Sequence, residues 1–304
     1  MLTTVKSISF LNSHIVKRYY NIYSFIHNNT MKSLTKYLNE KLIINKDYKS
    51  PYTCAPTSCN ELRKIIDDRY NKFGPGTKQK PIDFNDVDVS NIDSFYNKHY
   101  EIGIFQKTKF EYINISDWDV SNVKNMYFAF YGCKQLKSVG DLSHWNVSKV
   151  KNMVCMFFGC EQLRSVDLSY WDVSNVNCML SMFSKCEQLK SVGDLSNWDV
   201  SCVKNMLAMF ADCINLKSVG DLSNWDVSNV KYMNNMFINC HNLKSVGDLS
   251  NWDVSRVEDM SEMFSACEQL KSVGDLSKWN VSRVKYMFYM FRNSGITNIP
   301  KWCK

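Results

Sequence analysis

The sequence predicts an α/β repeat solenoid in which each unit of 26–27 residues contributes one short parallel strand and one short helix. Two observations lead to this prediction. A tryptophan recurs at intervals of 27, 26, 27, 27, 27 and 27 residues, and the apolar residues between the tryptophans keep the same register. A unit of this length is too short to enclose a core of its own, so neighbouring units must stack and share one. The tryptophans are Trp118, Trp145, Trp171, Trp198, Trp225, Trp252 and Trp279.

The unit at residues 198–224 shows how its two elements are predicted. Between Val203 and Cys213 the apolar residues are spaced by three, three, one and three positions. This spacing is typical of one face of a short helix. Ser201 precedes the segment, where its side-chain oxygen would cap free amide groups. The stretch at 216–222 is interpreted as a strand of a parallel ladder.

One glycine in this strand explains the single 26-residue step. The unit before Trp171 lacks the glycine that its siblings carry. An extra glycine in a strand is typical of a bulge. We therefore predict no bulge near Asp167 and bulges at Gly140, Gly193, Gly220, Gly247 and Gly274.

The chain is predicted to fall into five parts. Residues 1–50 form a basic segment that we expect to be partly disordered, and residues 51–80 hold a capping helix. A degenerate repeat follows at 81–117, then a seven-unit solenoid at 118–301, and the C-terminal end at 302–304. Repeat arrays need such caps because their terminal units otherwise expose a face of the core.

The capping helix has recognisable start and stop signals. Ser58 and Glu61 have the spacing of a capping box, and Gly74 follows as a typical helix end. The residues Leu62, Ile65, Ile66 and Tyr70 make one apolar stripe along the helix. We expect this stripe to cover the first unit of the array.

Charge and hydropathy narrow the choice of partners. Residues 1–80 hold 14 Lys and Arg against 5 Asp and Glu, so the net charge of +7 resides in that segment. A basic arm can touch nucleic acid or an anionic membrane, but we interpret this one as a solvated surface and expect no nucleic-acid partner. No run of eighteen apolar residues is present, so no membrane span is predicted.

The repeated cysteines are predicted to be reduced core side chains. One lies in each unit, and a continuous column of stacked thiols cannot form a disulfide at every level without strain. Free cysteine is also among the most buried residue types. We expect this column to line the core beside the tryptophans. It consists of Cys133, Cys160, Cys186, Cys213, Cys240 and Cys267.

No catalytic, cofactor or metal site is predicted. The five histidines follow no register with the cysteines, and neither a phosphate loop nor a nucleophile elbow is present. Aspartates recur once per unit in two columns, which include Asp199 and Asp221. Since each copy has the same surroundings, the columns do not provide an acid and a base of different pKa. Calcium binding is an alternative, but we expect these aspartates to bond backbone amides at turns.

The repeat has the form DLSxWDVSxVxxMxxMFxxCxxLxSV and recurs across residues 118–291. It resembles the repeat of the BspA-like leucine-rich-repeat family, also described as the bacterial surface-protein 26-residue repeat or the Mycoplasma-lipoprotein-type repeat. The resemblance implies a leucine-rich-repeat-like solenoid and a role in adhesion or protein interaction, often at a bacterial surface. This chain departs from the surface members because no export signal, lipid-attachment cysteine or wall anchor is evident. We therefore expect a cytoplasmic location, with the cell surface or secretion as alternatives.

Three functions are weighed on these grounds. The first is a non-enzymatic scaffold that binds a protein or a repetitive ligand over an extended surface. The second is an exported adhesin that binds host proteins, and the third is a carbohydrate-binding module that stacks sugars on the tryptophans. Side chains on the predicted helix side differ most between units, so they are the candidates for a protein contact. They are Leu180, Ser181, Leu207, Asn234, Asn235, Ser261, Glu262, Phe288 and Tyr289.

Overall fold

The computed structural model describes residues 52–303, so the predicted basic segment at 1–50 lies outside the described residues. Among them, helix α1 spans Cys59–Phe73. Four two-residue strands follow: β1 at Ile82–Asp83, β2 at Tyr96–Asn97, β3 at Ile102–Gly103 and β4 at Ile113–Asn114. Strand β1 pairs in parallel with β4, and β2 pairs antiparallel with β3. Short 3₁₀ helices at Leu276–Lys278 and Lys301–Cys303 complete the list.

The repeat units form successive rungs of one stack, in which rung 1 begins at Trp118 and rung 7 at Trp279. Neighbouring rungs are joined by single parallel bridges rather than by long strands. One series of bridges runs through the predicted strand, from Ser165 to Ser191, Ser218 and Ser245. Another series runs through the predicted helical side, and it joins Ser94, Asn125, Asn152, Cys178, Asn205, Tyr232, Asp259 and Tyr286. The predicted parallel ladder is therefore present, but each rung contributes single residues to it.

The predicted helix in each unit is wrong. In rung 4, Ala208 and Asp212 have left-handed backbones, with φ of 53° and 59°. The amide of Ala208 donates to the carbonyl oxygen of Asn234 in the next rung over 3.0 Å, whereas the amide of Ala211 bonds Ala208 three residues back over 3.1 Å. Every second amide of this stretch thus donates to the next rung. In an α-helix, these amides would instead donate to carbonyls of the same stretch. We call this stretch, residues 206–213 and its equivalents, the turn segment.

The predicted serine cap is wrong for the same reason. With no helix to cap, the amide of Ser201 donates to Asp199 Oδ1 over 3.0 Å. The strand glycines lie at φ of 86° to 91°, a region that residues with a side chain rarely adopt. This explains why a glycine stands there in most units. The bulges assigned to these glycines remain a prediction.

The repeated tryptophans and cysteines lie in the core of the stack. All seven tryptophans and all six repeated cysteines are at most 5% exposed. The methionine, phenylalanine, valine and leucine columns fill the remaining interior of rungs 1–6. Each side chain of a column stacks on the equivalent side chain of the next rung. The apolar area is therefore removed from water by contacts between neighbouring rungs and not within one rung.

Helix α1 lies within the predicted segment and begins at the predicted Ser58. The amide of Glu61 donates to Ser58 Oγ over 3.2 Å, and the Glu61 carboxylate accepts from the amide of Thr57 over 2.7 Å. Leu62 is buried, and the ring of Tyr70 meets that of Phe110 edge-on at 5.1 Å. The helix therefore covers the aromatic core of the degenerate repeat.

Candidate interaction surface

The tryptophan column is structural. The indole rings of Trp225 and Trp252 are stacked 6.4 Å apart at an interplanar angle of 2°. Each indole nitrogen also donates to a carbonyl oxygen that precedes it by more than one repeat, as Trp198 does to Leu168 over 3.0 Å. Since these rings are at most 5% exposed, a sugar cannot stack on them. The carbohydrate-binding alternative is therefore wrong for this column.

The cysteine column makes a second set of bonds between rungs. The thiol of Cys213 donates to the carbonyl oxygen of Phe183 over 3.1 Å, and its siblings repeat the contact. All twelve cysteines are free thiols. Burial raises the pKa of Cys267 to about 12, and burial also raises the pKa of Cys155 to about 12. Such thiols stay protonated at neutral pH and are poor nucleophiles.

The aspartate columns bond backbone amides, as the sequence predicts. Asp199 Oδ1 accepts from the amide of Ser201, and Asp221 Oδ1 accepts from the amide of Ser223, each over 3.0 Å. Hydrogen bonds from the hydroxyl and the amide of Ser201 lower the pKa of Asp199. The carboxylates are thus ionised and already engaged. Within residues 52–303, no group of three or more His, Cys, Asp and Glu side chains is arranged to hold a metal ion.

The sequence-predicted partner residues lie on the turn segments and differ in exposure. Ser181 and Ser261 are buried, at 8% and 4% exposed. Phe288 and Tyr289 in rung 7 are 52% and 58% exposed. The half-buried ones are Leu180, Leu207, Asn234, Asn235 and Glu262. The structure therefore brings the set onto one side of the stack but leaves only some members accessible.

The residues that form these rungs match a protein-family model. Residues 98–219 and 209–302 match the family model described as Mycoplasma protein of unknown function, DUF285. The two matches cover more than half of the chain. The chain belongs to the DUF285 family. This membership confirms the resemblance that the repeat motif implies.

Two solved structures are similar to this DUF285 chain. A leucine-rich repeat protein from Eubacterium ventriosum is 19% identical, with a TM-score of 0.44, and the match covers 72% of this chain and 55% of that one. A leucine-rich repeat protein from Bacteroides ovatus is 16% identical, with a TM-score of 0.17, and the match covers 61% and 65% of the two chains. The chain thus spans about half the length of the first. No curated protein matches it.

The structure adds a column of side chains that the comparison of repeat units did not select. The ring of Tyr131 stacks on that of Phe158 at 4.9 Å, directly beside the predicted columns. This column also changes from rung to rung, so the same comparison of units would have found it. Its members are Tyr131, Phe158, Ser184, Ala211, Ile238, Ser265 and Arg292. We call the three columns equivalent to Tyr127, Phe128 and Tyr131 the variable face of this DUF285 chain.

Two side chains at the centre of the variable face have unmet hydrogen-bonding capacity. The side-chain oxygens of Asn234 and Asn235 are buried and have no partner within the described residues. A buried acceptor without a donor costs about 1–3 kcal/mol. A donor from a bound partner would relieve that cost.

No helix within residues 52–303 of this DUF285 chain combines the length and the apolar character needed to cross a bilayer. The surface of the stack consists of columns that keep one residue type and columns whose residue type changes from rung to rung. The described part of the molecule therefore presents one face with a different side chain on almost every rung.

Proposed function

We propose that the chain is a non-enzymatic interaction scaffold that binds a protein partner over the variable face. One observation carries the proposal: each of the three adjacent columns of that face holds at least six different residue types over seven rungs, while the neighbouring serine and aspartate columns scarcely change. An irregular partner needs a surface that differs from rung to rung, whereas a regular polymer does not.

The chemistry of the variable face supports this proposal. At one end, the rings of Tyr96 and Tyr127 meet edge-on at 4.7 Å, and at the other end Phe288 and Tyr289 are exposed. Between them lie small and polar side chains, including the two asparagines with unsatisfied oxygens. Aromatic side chains are enriched at protein-binding surfaces, where they often carry much of the binding energy.

The remaining polar groups favour a scaffold over an enzyme. Catalytic pairs need unlike surroundings, but the recurrent aspartates and thiols occupy equivalent positions in successive rungs. The aspartates bond turns and the thiols bond carbonyl oxygens. The repeated chemistry is thus used to join and shape the rungs.

The proposal is tested by exchanging residues between rungs. The variant Leu207→Asn with Asn234→Leu keeps the composition, and each introduced residue already occurs in its column. We expect full-length protein with this exchange to lose partners that the wild type retains in quantitative affinity capture. The matched control is Ile214→His with His241→Ile, which exchanges neighbours within a column outside the variable face.

Loss with the first exchange and retention with the control support the proposal. Equal retention by both variants, or a measurable turnover that the first exchange abolishes, contradicts it. Localising the tagged protein in its own cells decides whether the partner is met inside or, as in the adhesin alternative, outside.

A further inference from the structure

The backbone hydrogen bonds that the amides of one turn segment donate to the next all point the same way along the stack. In rung 4, the amides of Met206, Ala208, Phe210 and Asp212 donate forward to carbonyl oxygens of rung 5 over 2.9–3.0 Å. Four forward hydrogen bonds of this kind join each pair of neighbouring rungs, from rung 1 to rung 7. Aligned peptide groups leave positive partial charge at their N–H end and negative partial charge at their C=O end, as in a helix.

The amide end of this array is open within the described residues. Rung 7 presents four equivalent amides, which belong to Met287, Tyr289, Phe291 and Asn293. None of the four has an acceptor within residues 52–303. Val281, Val284 and Met287 beside them are only partly buried, whereas their equivalents in rung 6 are fully buried. The last rung therefore offers donors and an uncovered apolar core together.

The carbonyl end of the array is bonded by a cation. Arg63 of helix α1 donates from Nη1 to the carbonyl oxygen of Gln106, the equivalent of the accepting carbonyl of Tyr131, over 3.0 Å, and to that of Gly103 over 3.3 Å. Both carbonyls belong to the degenerate repeat that precedes rung 1. A positive side chain at the C=O end is the charge that the polarity of the array favours. The N–H end requires the opposite charge.

Rung 7 and the residues after it carry no such charge of their own. Residues 276–303 include no Asp or Glu, but they include the cations Lys278, Arg283, Lys285, Arg292 and Lys301. Lys285 is paired with Glu258 over 2.7 Å, and no ion pair joins the other four within the described residues. Tyr286, Phe288 and Tyr289 are 52–58% exposed beside them. An occupant therefore meets positive charge, amide donors and aromatic rings.

We propose that rung 7 is a docking edge for an acidic, extended peptide segment of a partner protein. The peptide adds the equivalent of one further turn segment: its carbonyl oxygens accept from the four open amides, and its carboxylates pair with Arg283 and Arg292. The proposal rests on the proposed function, because it names the partner class for the end of the variable face that includes Phe288 and Tyr289. At the six interfaces between neighbouring rungs, from rung 1 to rung 7, peptide carbonyl oxygens accept from equivalent amides over 2.7–3.1 Å.

Two other occupants fit the edge less well. A second copy stacked head to tail would need free carbonyls at its first turn, but Arg63 already bonds that of Gln106 and helix α1 packs against β2 of the same repeat. Residues 1–51 of this chain hold 8 Lys and Arg against 2 Asp and Glu, so their charge matches that of the edge instead of opposing it. An acidic partner segment meets both the charge and the donors.

The test uses full-length protein and a synthetic peptide of residues 258–266, EDMSEMFSA, whose carbonyls occupy this position on rung 5. Its control, QNMSQMFSA, has amides in place of the three carboxylates. Binding of labelled peptide is measured by fluorescence polarisation, and amide hydrogen exchange is followed by NMR. We expect the acidic peptide to bind about tenfold more tightly than its control. It should also slow exchange at Met287, Tyr289, Phe291 and Asn293, with no change at the paired amides of rung 6.

Variants of the protein identify which cations bind the acidic peptide. Arg283→Gln with Arg292→Gln should weaken binding about tenfold, whereas Lys190→Gln with Lys217→Gln, on exposed side positions, should not. Equal binding of both peptides, unchanged exchange in rung 7, or equal loss with the side variants would overturn the proposal. So would a single-stranded oligonucleotide that protects the same four amides more strongly than the acidic peptide. None of these results depends on the rung 4 and 5 exchange that tests the scaffold itself.

Discussion

The indole nitrogen of Trp198 donates a 3.0 Å hydrogen bond to the carbonyl oxygen of Leu168, which lies 30 residues earlier in the chain. The same ring is 3% exposed. Each tryptophan therefore joins two rungs through a polar bond while its ring fills the shared core. A buried carbonyl that loses its donor costs free energy in addition to the lost packing.

Replacement of Trp198 should separate these two contributions. Trp198→Ala is expected to lower the free energy of unfolding by about 3–5 kcal/mol, because it leaves a large cavity. Trp198→Phe keeps much of the ring but leaves the Leu168 carbonyl without its donor, so about 1–3 kcal/mol should be lost. Chemical denaturation of both variants provides the measurement.

Trp302 is the matched position at the end of the column. It stacks on Trp279 at 6.1 Å and donates to Leu276 over 3.0 Å, so the column extends beyond the predicted solenoid range of 118–301. Its ring is only half-buried, and we expect Trp302→Ala to cost clearly less than Trp198→Ala. Equal losses at the two sites would contradict the account of a shared core.

The register of the core could be predicted from the sequence because it follows from the period alone. The tryptophan and cysteine columns are buried as their spacing predicts, and the Ser58 cap forms as its motif predicts. The turn segment could not be predicted in this way. Apolar spacings of three and one suit a helix, but they also suit a chain in which left-handed residues such as Ala208 send alternate amides to a neighbour. Only the neighbouring rung decides between the two.

The variable face was predicted in part for a related reason. Variation between units located the columns of Leu207 and Ala208, but it gives no exposure. Ser181 and Ser261 proved buried, while the stacked rings of Tyr131 and Phe158 are half-buried. The open amides of rung 7 are backbone groups, so no side-chain pattern could have located them.

Two glycines should respond differently to the same substitution. At Gly220, with φ of 91°, an added Cβ would meet Asp194 Oδ1 and the amide nitrogen of Leu195. Gly159 has φ of 68°, and its nearest heavy atom to an added Cβ lies at 3.6 Å. Ala266 already occupies the position equivalent to Gly159 in rung 6, at φ of 58°. Position 159 therefore tolerates alanine far better than position 220.

We expect Gly220→Ala to cost about 1–3 kcal/mol and Gly159→Ala to cost no more than about 1–2 kcal/mol. Thermal unfolding of the two variants beside wild type measures the difference. If Gly159→Ala proved the more damaging change, the contact with Asp194 would not be the reason for the conserved glycine pattern within this chain.

The buried thiols should make the protein sensitive to alkali. Burial raises the pKa of Cys155 from 9.0 to about 12, so the unfolded chain loses this proton at a lower pH than the folded chain. The stability that this difference provides is fully present below pH 9 and is lost as pH rises toward 12. Over that window each such thiol lowers the free energy of unfolding by about 1.4 kcal/mol per pH unit.

Cys155→Ala tests this directly, since alanine already occurs in that column at Ala208. The free energy of unfolding is measured by urea denaturation at intervals between pH 8 and 11. The variant should lose stability less steeply with pH than wild type, by about 1.4 kcal/mol per pH unit. Identical slopes for the two proteins would show that this thiol ionises equally in both states.

The bonds from Arg63 to Gln106 and Gly103 should matter more than its ion pair with Asp67. The guanidinium bonds the Gln106 carbonyl at the carbonyl end of the array, whereas Asp67 is a half-exposed neighbour in the same helix, with Nε and Oδ2 3.0 Å apart. Arg63→Met removes the cationic donor and should cost about 1.5–3 kcal/mol. Asp67→Asn removes only the ion pair and should cost about 0–1 kcal/mol.

Amide hydrogen exchange locates the effect. In Arg63→Met, protection should fall first at the amides of Phe105 and Lys107, which bond rung 1 over 2.8 Å each. The amides of rung 5 should keep their protection, because each rung contacts only its neighbours. If Asp67→Asn produced the same local loss, the ion pair rather than the bond to the Gln106 carbonyl would position helix α1.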